Sequence, residues 1–302
     1  MFLLAHLSDV HLAPLPPVKW TELFGKRLSG YLSWRHNRQN LHSRQIVDLM
    51  ARDIVNLKPD HVAITGDLVN IALEEEFAQA SAWLKDFGPD HWISVVPGNH
   101  DAYVNVPYAK GIGQWHSYMT GNTRNDHHTA CFAGEFPYIR RFNDIALIGV
   151  STAIQTVPFV AGGRIGTEQR QSLEKILHEL GQQNLCRIIM IHHPPLPGLN
   201  SRRKALWDAG EFKEILRRQG AELVLHGHNH THMFHTTPGP EAEIPVYGVP
   251  SASMRHDASK PAAHYYLFEI EKNEESWSIS GSMRRISQGG TNYEGCGPLP
   301  SI

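Results

Sequence analysis

Cysteine is scarce in this chain. Cys131, Cys186 and Cys296 are the only three in 302 residues, they are far apart, and no C-x-x-C pair occurs. An odd, scattered set excludes a disulfide framework and a thiolate zinc site, and fits a reducing compartment. Long apolar runs are also missing. No segment approaches about eighteen uninterrupted apolar residues, so no membrane span is expected. The first residues, MFLLAHLSDVHL, lack a basic leader region, and Asp9 interrupts their apolar run. They predict a first strand rather than a signal peptide, and with it a cytoplasmic location. Neither sign of charge dominates: the formal net charge is −2. No global field therefore draws the protein to nucleic acid. Repeats and low-complexity segments are absent. At 41 % hydrophobic residues the chain lies within the globular range, with length for one large domain or two modest ones.

What is abundant is histidine, with 20 copies against 28 for lysine and arginine together. Imidazole is the commonest metal-ligating side chain, so the excess points toward a metal protein.

Apolar runs at 2–7, 61–65, 91–96, 144–150, 187–191 and 221–225 have the length and composition of buried strands. Helical spacing appears between them. Leu41, Ile46, Leu49, Met50, Ile54 and Leu57 mark one helix, ended by Pro59; Phe77, Ala80, Leu84 and Phe87 mark a second, stopped by Gly88-Pro89. Leu173, Ile176, Leu177 and Leu180 mark a third, with Thr167 as N-cap and Gly181 beyond its end, and a fourth covers 208–219 before Gly220. This alternation predicts an α/β fold. Strand patterns at 244–249, 264–270 and 276–283 follow with little helix between them, and predict a second, mixed or antiparallel sheet packed on the first. The tail 286–302, rich in Gly and Pro, is expected to be irregular. The main domain would then span 1–285.

The informative residues follow the apolar runs. Asp9-Val10-His11 comes after the first, Gly66-Asp67 after the second, and Gly98-Asn99-His100-Asp101 after the third. His192-His193 follows the run at 187–191, and His226-Gly227-His228-Asn229-His230 the run at 221–225. Open α/β sheets bind ligands beyond the carboxyl ends of their strands. Five strand ends thus deliver Asp, Asn and His to one rim. Each alone reads equally as a turn or a hydrogen-bonded loop residue; together they form a donor set of oxygens and imidazoles without thiolates. That set suits Zn²⁺, Mn²⁺ or iron. Seven candidates are too many for one ion with an open position, but suit two ions sharing a carboxylate.

In this order these residues resemble the calcineurin-like metallophosphoesterases, whose signature is D-x-H, G-D, G-N-H-[DE], a lone His and G-H-x-H. Every element is present between residues 9 and 230. The resemblance implies a four-layer αββα sandwich of two mixed sheets flanked by helices, with a dimetal site at the strand rim. One ion (Mn²⁺, Fe²⁺/Fe³⁺ or Zn²⁺) would take Asp9, His11, His230 and the shared Asp67; the other would take Asp67, Asn99, His192 and His228. Asp67 would bridge through its two oxygens. Within VLHGHNHTHMFH the family motif selects His228 and His230, leaving His226 buried at a strand end. His192 is favoured over His193. The implied chemistry is attack of a metal-bound hydroxide on a phosphodiester. His100 and Asn99 would contact the phosphoryl group, His100 would protonate the leaving oxygen, and Asp101 would orient the His100 ring. His193 and His232 are further candidates for substrate contact.

The pattern is most similar to the cyclic-nucleotide and glycerophosphodiester branch, with a small phosphodiester as substrate. A phosphomonoesterase or lipid-linked phosphoesterase of the same fold is the alternative, and a metal-binding scaffold without turnover the alternative of another class. Residues 14–44 form a long insert after the first motif. In it Lys19, Lys26, Arg27, Arg35, Arg38 and Arg44 are interleaved with Trp20, Phe24, Tyr31 and Trp34. The insert reads as a solvated amphipathic segment, a cap over the rim, a membrane-surface contact or a homo-oligomer interface.

Overall fold

A computed structural model describes residues 1–122, 136–256, 260–274 and 276–301. Cys131 lies outside them; Cys186 and Cys296 are free thiols. The chain runs β1 (Phe2–Leu7), α1 (Lys26–Ser33), α2 (Arg44–Leu57), β2 (His61–Ile64), α3 (Glu74–Phe87), β3 (Ile93–Val95), β4 (Tyr138–Phe142), β5 (Ile145–Gly149), α4 (Thr167–Gln182) and β6 (Cys186–Met190). It continues through α5 (Ala209–Gln219), β7 (Leu223–His226), β8 (Met233–Pro238), β9 (Glu243–Gly248), β10 (His264–Lys272), β11 (Trp277–Ile286) and β12 (Tyr293–Pro298).

Two six-stranded sheets result, in the orders β12-β11-β10-β1-β2-β3 and β4-β5-β6-β7-β9-β8. Both are mixed: β1, β2 and β3 are mutually parallel while β10 meets β1 antiparallel, and β5, β6, β7 and β9 are parallel while β4 and β8 are antiparallel edges. Period-2 alternation sorts the second sheet cleanly. Leu147, Ile188, Met190, Leu223 and Leu225 face the first sheet and its cluster. Ile148, Ile189, Ile191 and Val224 face outward onto Leu173, Ile176 and Leu177 of α4 and Phe212 and Leu216 of α5. Ile46, Met50 and Ile54 of α2 and Phe77, Trp83 and Leu84 of α3 belong to the cluster of the first sheet. Each such side chain contributes about 1.5–3 kcal/mol on full burial. The expected αββα architecture is present.

Two expectations are corrected. The strands of the last third do not form a sheet of their own. β9 completes the second sheet beside β7, while β10 and β11 complete the first beside β1. A strand's apolar pattern shows that it is buried, not which edge it joins. The tail is also not irregular throughout, because β12 pairs antiparallel with β11 across a bulge at Met283/Arg284. An edge strand needs backbone hydrogen bonds on one side only, which a Gly-rich segment can make, and buried Tyr293 and Leu299 anchor it. Of the helix limits, Gly166 rather than Thr167 is the N-cap of α4, and Gly181 lies inside that helix.

Candidate metal centre

The rim is built from turns that the strands cannot continue. Asp9, His11, Asp67, His228 and His230 all have φ between 40° and 73°. Non-glycine residues rarely occupy this left-handed region, and such strain persists only where the surroundings enforce it. The amide of Asp9 donates to the Gly66 carbonyl and that of His11 to the Asp67 carbonyl, both at 2.9 Å, tying the first two loops together. Gly227 lets the fifth loop approach: a Cβ there would stand 1.9 Å from Ser8 Oγ and 2.5 Å from Asp9 Oδ2.

All seven candidate ligands meet. Each carboxylate has one oxygen fixed by a backbone amide and the other turned inward. Asp67 Oδ1 accepts from the His100 amide at 2.7 Å, and Asp9 Oδ2 from the His228 amide at 2.9 Å. Asp67 Oδ2 then lies 3.8 Å from His11 Nε2 and 3.3 Å from His192 Nε2. The two halves therefore converge on one oxygen of Asp67, rather than on one oxygen each as the sequence suggested. On one side, Asp9 Oδ1 is 3.1 Å from His230 Nε2, itself 3.3 Å from His11 Nε2. On the other, Asn99 Oδ1 is 2.8 Å from His228 Nδ1 and 3.2 Å from His192 Nε2.

Tautomers follow from the partners. His11 Nδ1 donates to the Val69 carbonyl at 3.2 Å and His192 Nδ1 to the Thr65 carbonyl at 2.6 Å, which leaves both Nε2 atoms facing the cluster. Burial alone would raise the Asp67 carboxyl, but the imidazoles of His192, His100 and His11 hold it well below the usual carboxylate range. Burial and neighbouring histidines push His11 and His228 well below the usual imidazole value. His192 is the exception: burial opposes its charge, but Asp67 and Asp9 hold it up to about 9. Among the described residues, three groups have donor atoms within one ion's reach: Asp67 with His192 and His228, His11 with His42 and His230, and His11 with Asp67 and His100. Asp9 Oδ1 is buried facing the His230 ring nitrogen and has no hydrogen bond that satisfies it. Buried lone pairs left without donors fit cations. The mixed carboxylate, amide and imidazole set accepts several divalent transition metals.

Other candidates are placed differently. Asp101 does not orient His100; its carboxylate accepts from the amides of Gly98, Asp67, Leu68 and Val69 at 2.8–3.2 Å. It holds the Asp67 loop, because four convergent N–H groups outcompete one ring. His100 Nδ1 donates instead to the Asn70 carbonyl. His193 has both ring nitrogens occupied, by Thr152 Oγ1 at 2.6 Å and the Ala161 carbonyl at 3.2 Å, so neither is left for substrate. His232 turns away with the start of β8, onto Tyr266 Oη at 2.7 Å and the ring of His264. His226 is buried at the end of β7, as expected. A cleft of about 1070 Å³ opens beside Pro194, Leu206 and Trp207, and none of the seven ligand candidates lines it.

Sequence reasoning missed three participants. Arg38, at the end of the insert, reaches His100, with Nη1 2.9 Å from Nε2. Arginine only donates, so Nε2 accepts and the single ring proton sits on Nδ1. Burial and the Arg38 charge push His100 down to about 4, so the ring is neutral at pH 7. His42, also from the insert, is buried against His11, its Nδ1 2.7 Å from Ser253 Oγ. Asn70, which carries the carbonyl beneath His100, is held by Glu76, whose carboxylate accepts from the amides of Asn70 at 2.6 Å, Ile71 and Leu73. For Arg38 the available signal was the density of Lys and Arg in the insert; histidine is no denser there than elsewhere, and nothing local marked Asn70.

This strand-end cluster on two back-to-back mixed sheets is the arrangement of a metallophosphoesterase. The family profile for calcineurin-like phosphoesterase matches residues 2–232, and the chain belongs to that family. Among curated sequences it is similar to a probable glycerophosphodiester phosphodiesterase, GpdQ, of Arcobacter nitrofigilis, with 23 % identity over 78 % of this chain and 79 % of the other. Among solved structures it is similar to a dimetal phosphatase from Danio rerio, at TM-score 0.63 and 13 % identity over 99 % of this chain and 98 % of that one. It is also similar to the purple acid phosphatase PPD1 from yellow lupin seeds, at TM-score 0.57 and 11 % identity over 94 % of this chain and 51 % of that one.

Proposed function

We propose that the chain hydrolyses phosphodiesters at a two-ion centre. Asp9, His11, Asp67 and His230 would hold one ion, and Asp67, Asn99, His192 and His228 the other. The observation that carries this reading is the position of Asp67 Oδ2, within 4 Å of imidazole nitrogens on both sides of the cluster. Mn²⁺, iron or Zn²⁺ bound there would offset the anionic charge of the phosphoryl group and lower the pKa of water toward neutrality. The chain's own contribution is placement. Arg38 and His100 stand together beside the ligands, one a fixed cation and the other a neutral ring braced by Asn70. A phosphoryl oxygen entering between them takes a charge-assisted hydrogen bond from Arg38. Its negative charge favours protonation of His100 Nε2, which can then donate to the leaving oxygen.

The similarity to a probable glycerophosphodiester phosphodiesterase supports the diester reading. Arg38 favours a second one: a cation beyond the two ions also matches the dianion of a phosphomonoester. Assay with added Mn²⁺ on bis(p-nitrophenyl) phosphate and on p-nitrophenyl phosphate separates them. The diester reading expects kcat/KM at least about tenfold higher on the diester, a difference of about 1.4 kcal/mol. The reverse ranking makes the protein a monoesterase. Bound metal with turnover of neither substrate makes it a scaffold.

A further inference from the structure

Residues 14–44 leave a surface that the metal centre does not use. Trp20 is 85 % exposed and Phe24, just before α1, 76 %. Leu28 and Leu32, one turn apart on α1, are also exposed, and no residue of this helix is buried. A second segment continues the apolar surface. Lys26 Nζ donates to Thr156 Oγ1 at 2.6 Å and to the Val160 carbonyl at 3.2 Å. That contact seats α1 against the loop on which Val157 is 67 % and Phe159 82 % exposed. A third segment adjoins this loop, since the Ala161 amide donates to the Arg203 carbonyl at 2.8 Å and the Gly163 amide to the Ala205 carbonyl at 3.1 Å. It exposes Arg202, Arg203 and Lys204.

Six large apolar side chains in water are more than a solvated surface needs, and mark a contact site. Charge identifies what covers them. Segments 14–44, 151–166 and 196–207 expose Lys19, Arg35, Arg164, Arg202, Arg203 and Lys204 and hold one acid, Glu22, in a chain whose net charge is −2. The Glu22 carboxylate is engaged by the Lys19 amide at 2.8 Å. A second copy is a poor occupant. A two-fold contact through this face would set one face carrying Lys19, Arg35 and Arg202–Lys204 against another of the same sign. Exposed Trp, Phe and Leu in segments whose exposed charges are almost all Lys and Arg are instead the composition of an interfacial membrane contact.

We propose that this face docks on an anionic lipid bilayer. Trp20, Phe24, Val157 and Phe159 enter the headgroup region, and Lys19, Arg35 and Arg202–Lys204 meet lipid phosphates. The other side of the same insert places Arg38 on His100 and His42 on His11, so docking sets the catalytic rim beside the membrane. The docking is independent of turnover.

The test is sedimentation of the full chain with vesicles of phosphatidylcholine alone or with about 30 % phosphatidylglycerol, at low salt and at about 0.5 M salt. Sedimentation is expected with the anionic vesicles only, weakened by salt. The triple variant W20A/F24A/F159A is expected to lose at least about tenfold in partitioning, and R202E/R203E roughly fivefold or more per charge removed. Both variants should keep wild-type Tm and turnover of bis(p-nitrophenyl) phosphate. Asp67→Ala should sediment like the wild type, so failure of the hydrolytic reading leaves this one standing. Wild-type protein that stays in the supernatant with anionic vesicles overturns the proposal. So does a concentration-dependent dimer in analytical ultracentrifugation that the triple variant abolishes, which would make a second copy the occupant.

Discussion

At the strand ends, Asp9, His11, Asp67 and His192 are withdrawn from water although all four can carry charge. On the insert, Trp20 and Phe24 are left in water although both would gain from burial. The rim and the insert depart from ordinary sorting in opposite directions. Burying unpaired ionisable groups costs several kcal/mol unless a partner compensates them. Exposing an aromatic ring costs the fold little and leaves its burial free energy for binding. The rim adds a second cost in its left-handed backbone at five ligand positions. The difference teaches where to look for partners of each kind: a cation for the rim, an apolar and anionic surface for the insert.

The comparison breaks most readily at Asp67. Asp67→Ala removes the oxygen common to both halves, and is expected to strip metal from both and to lower turnover by more than the about 10²–10⁴ of a single proton-transfer group. Metal content near normal in that variant would remove Asp67 as the bridge. Next come the two groups that meet above the cluster. His100→Ala is expected to keep both ions and lose about 10²–10⁴ in kcat. Arg38→Ala is expected to keep both ions and lose about tenfold to a hundredfold in kcat/KM, with Arg38→Lys restoring only part, since a point charge does not reproduce the planar fork. Elemental analysis beside steady-state kinetics checks each; metal loss in the His100 variant would make that residue a ligand.

Stability sharpens the same contrast. Gly227→Ala places a methyl group against Ser8 and Asp9, and is expected to cost about 1–3 kcal/mol in denaturant unfolding together with metal affinity. Single alanine substitutions of Trp20 or Phe24 should stay within about 0.5 kcal/mol. Acid should act through histidines outside the ligand set. Burial pushes His6 down to about 3, His264 down to about 4 and His61 well below its usual value. Each stays neutral in the folded state while the unfolded chain takes up a proton below about pH 6.5. Their contribution is therefore intact above that pH and is lost as pH falls toward 3–4, at roughly 1.4 kcal/mol per group per pH unit. Thermal unfolding of chelator-treated protein from pH 7.5 to 5 reads this directly; a flat Tm across that range would contradict the buried neutral assignment.

Much of the rim was legible because its residues follow apolar runs that could only be strands. Asp9, Asp67, Asn99, His192 and His228 each stand at or within three residues of such a run. His192 and His193 differ in environment, one facing Asp67 and the other closed by Thr152 and Ala161. Other features were not legible. Asp101 sits next to His100 in the chain, and adjacency suggested a contact that the backbone amides of residues 67–69 claim instead. Arg38 and His42 are remote in sequence from the residues they touch, and nothing local in the insert reports on His100 or His11.

The sequence by itself determined nine of the twelve described strands, all but β4, β8 and β12, and the kinds of donor at each strand end, because period-2 burial and turn chemistry are properties of a few neighbouring residues. Only the tertiary structure decided which sheet took β9, β10 and β12, that one oxygen of Asp67 joins both halves of the cluster, and that the insert turns Arg38 inward and Trp20 outward. Those outcomes depend on contacts between residues up to more than 200 positions apart, as from Asp9 to His230. They are settled by how two sheets and their loops share one volume, which no local pattern encodes.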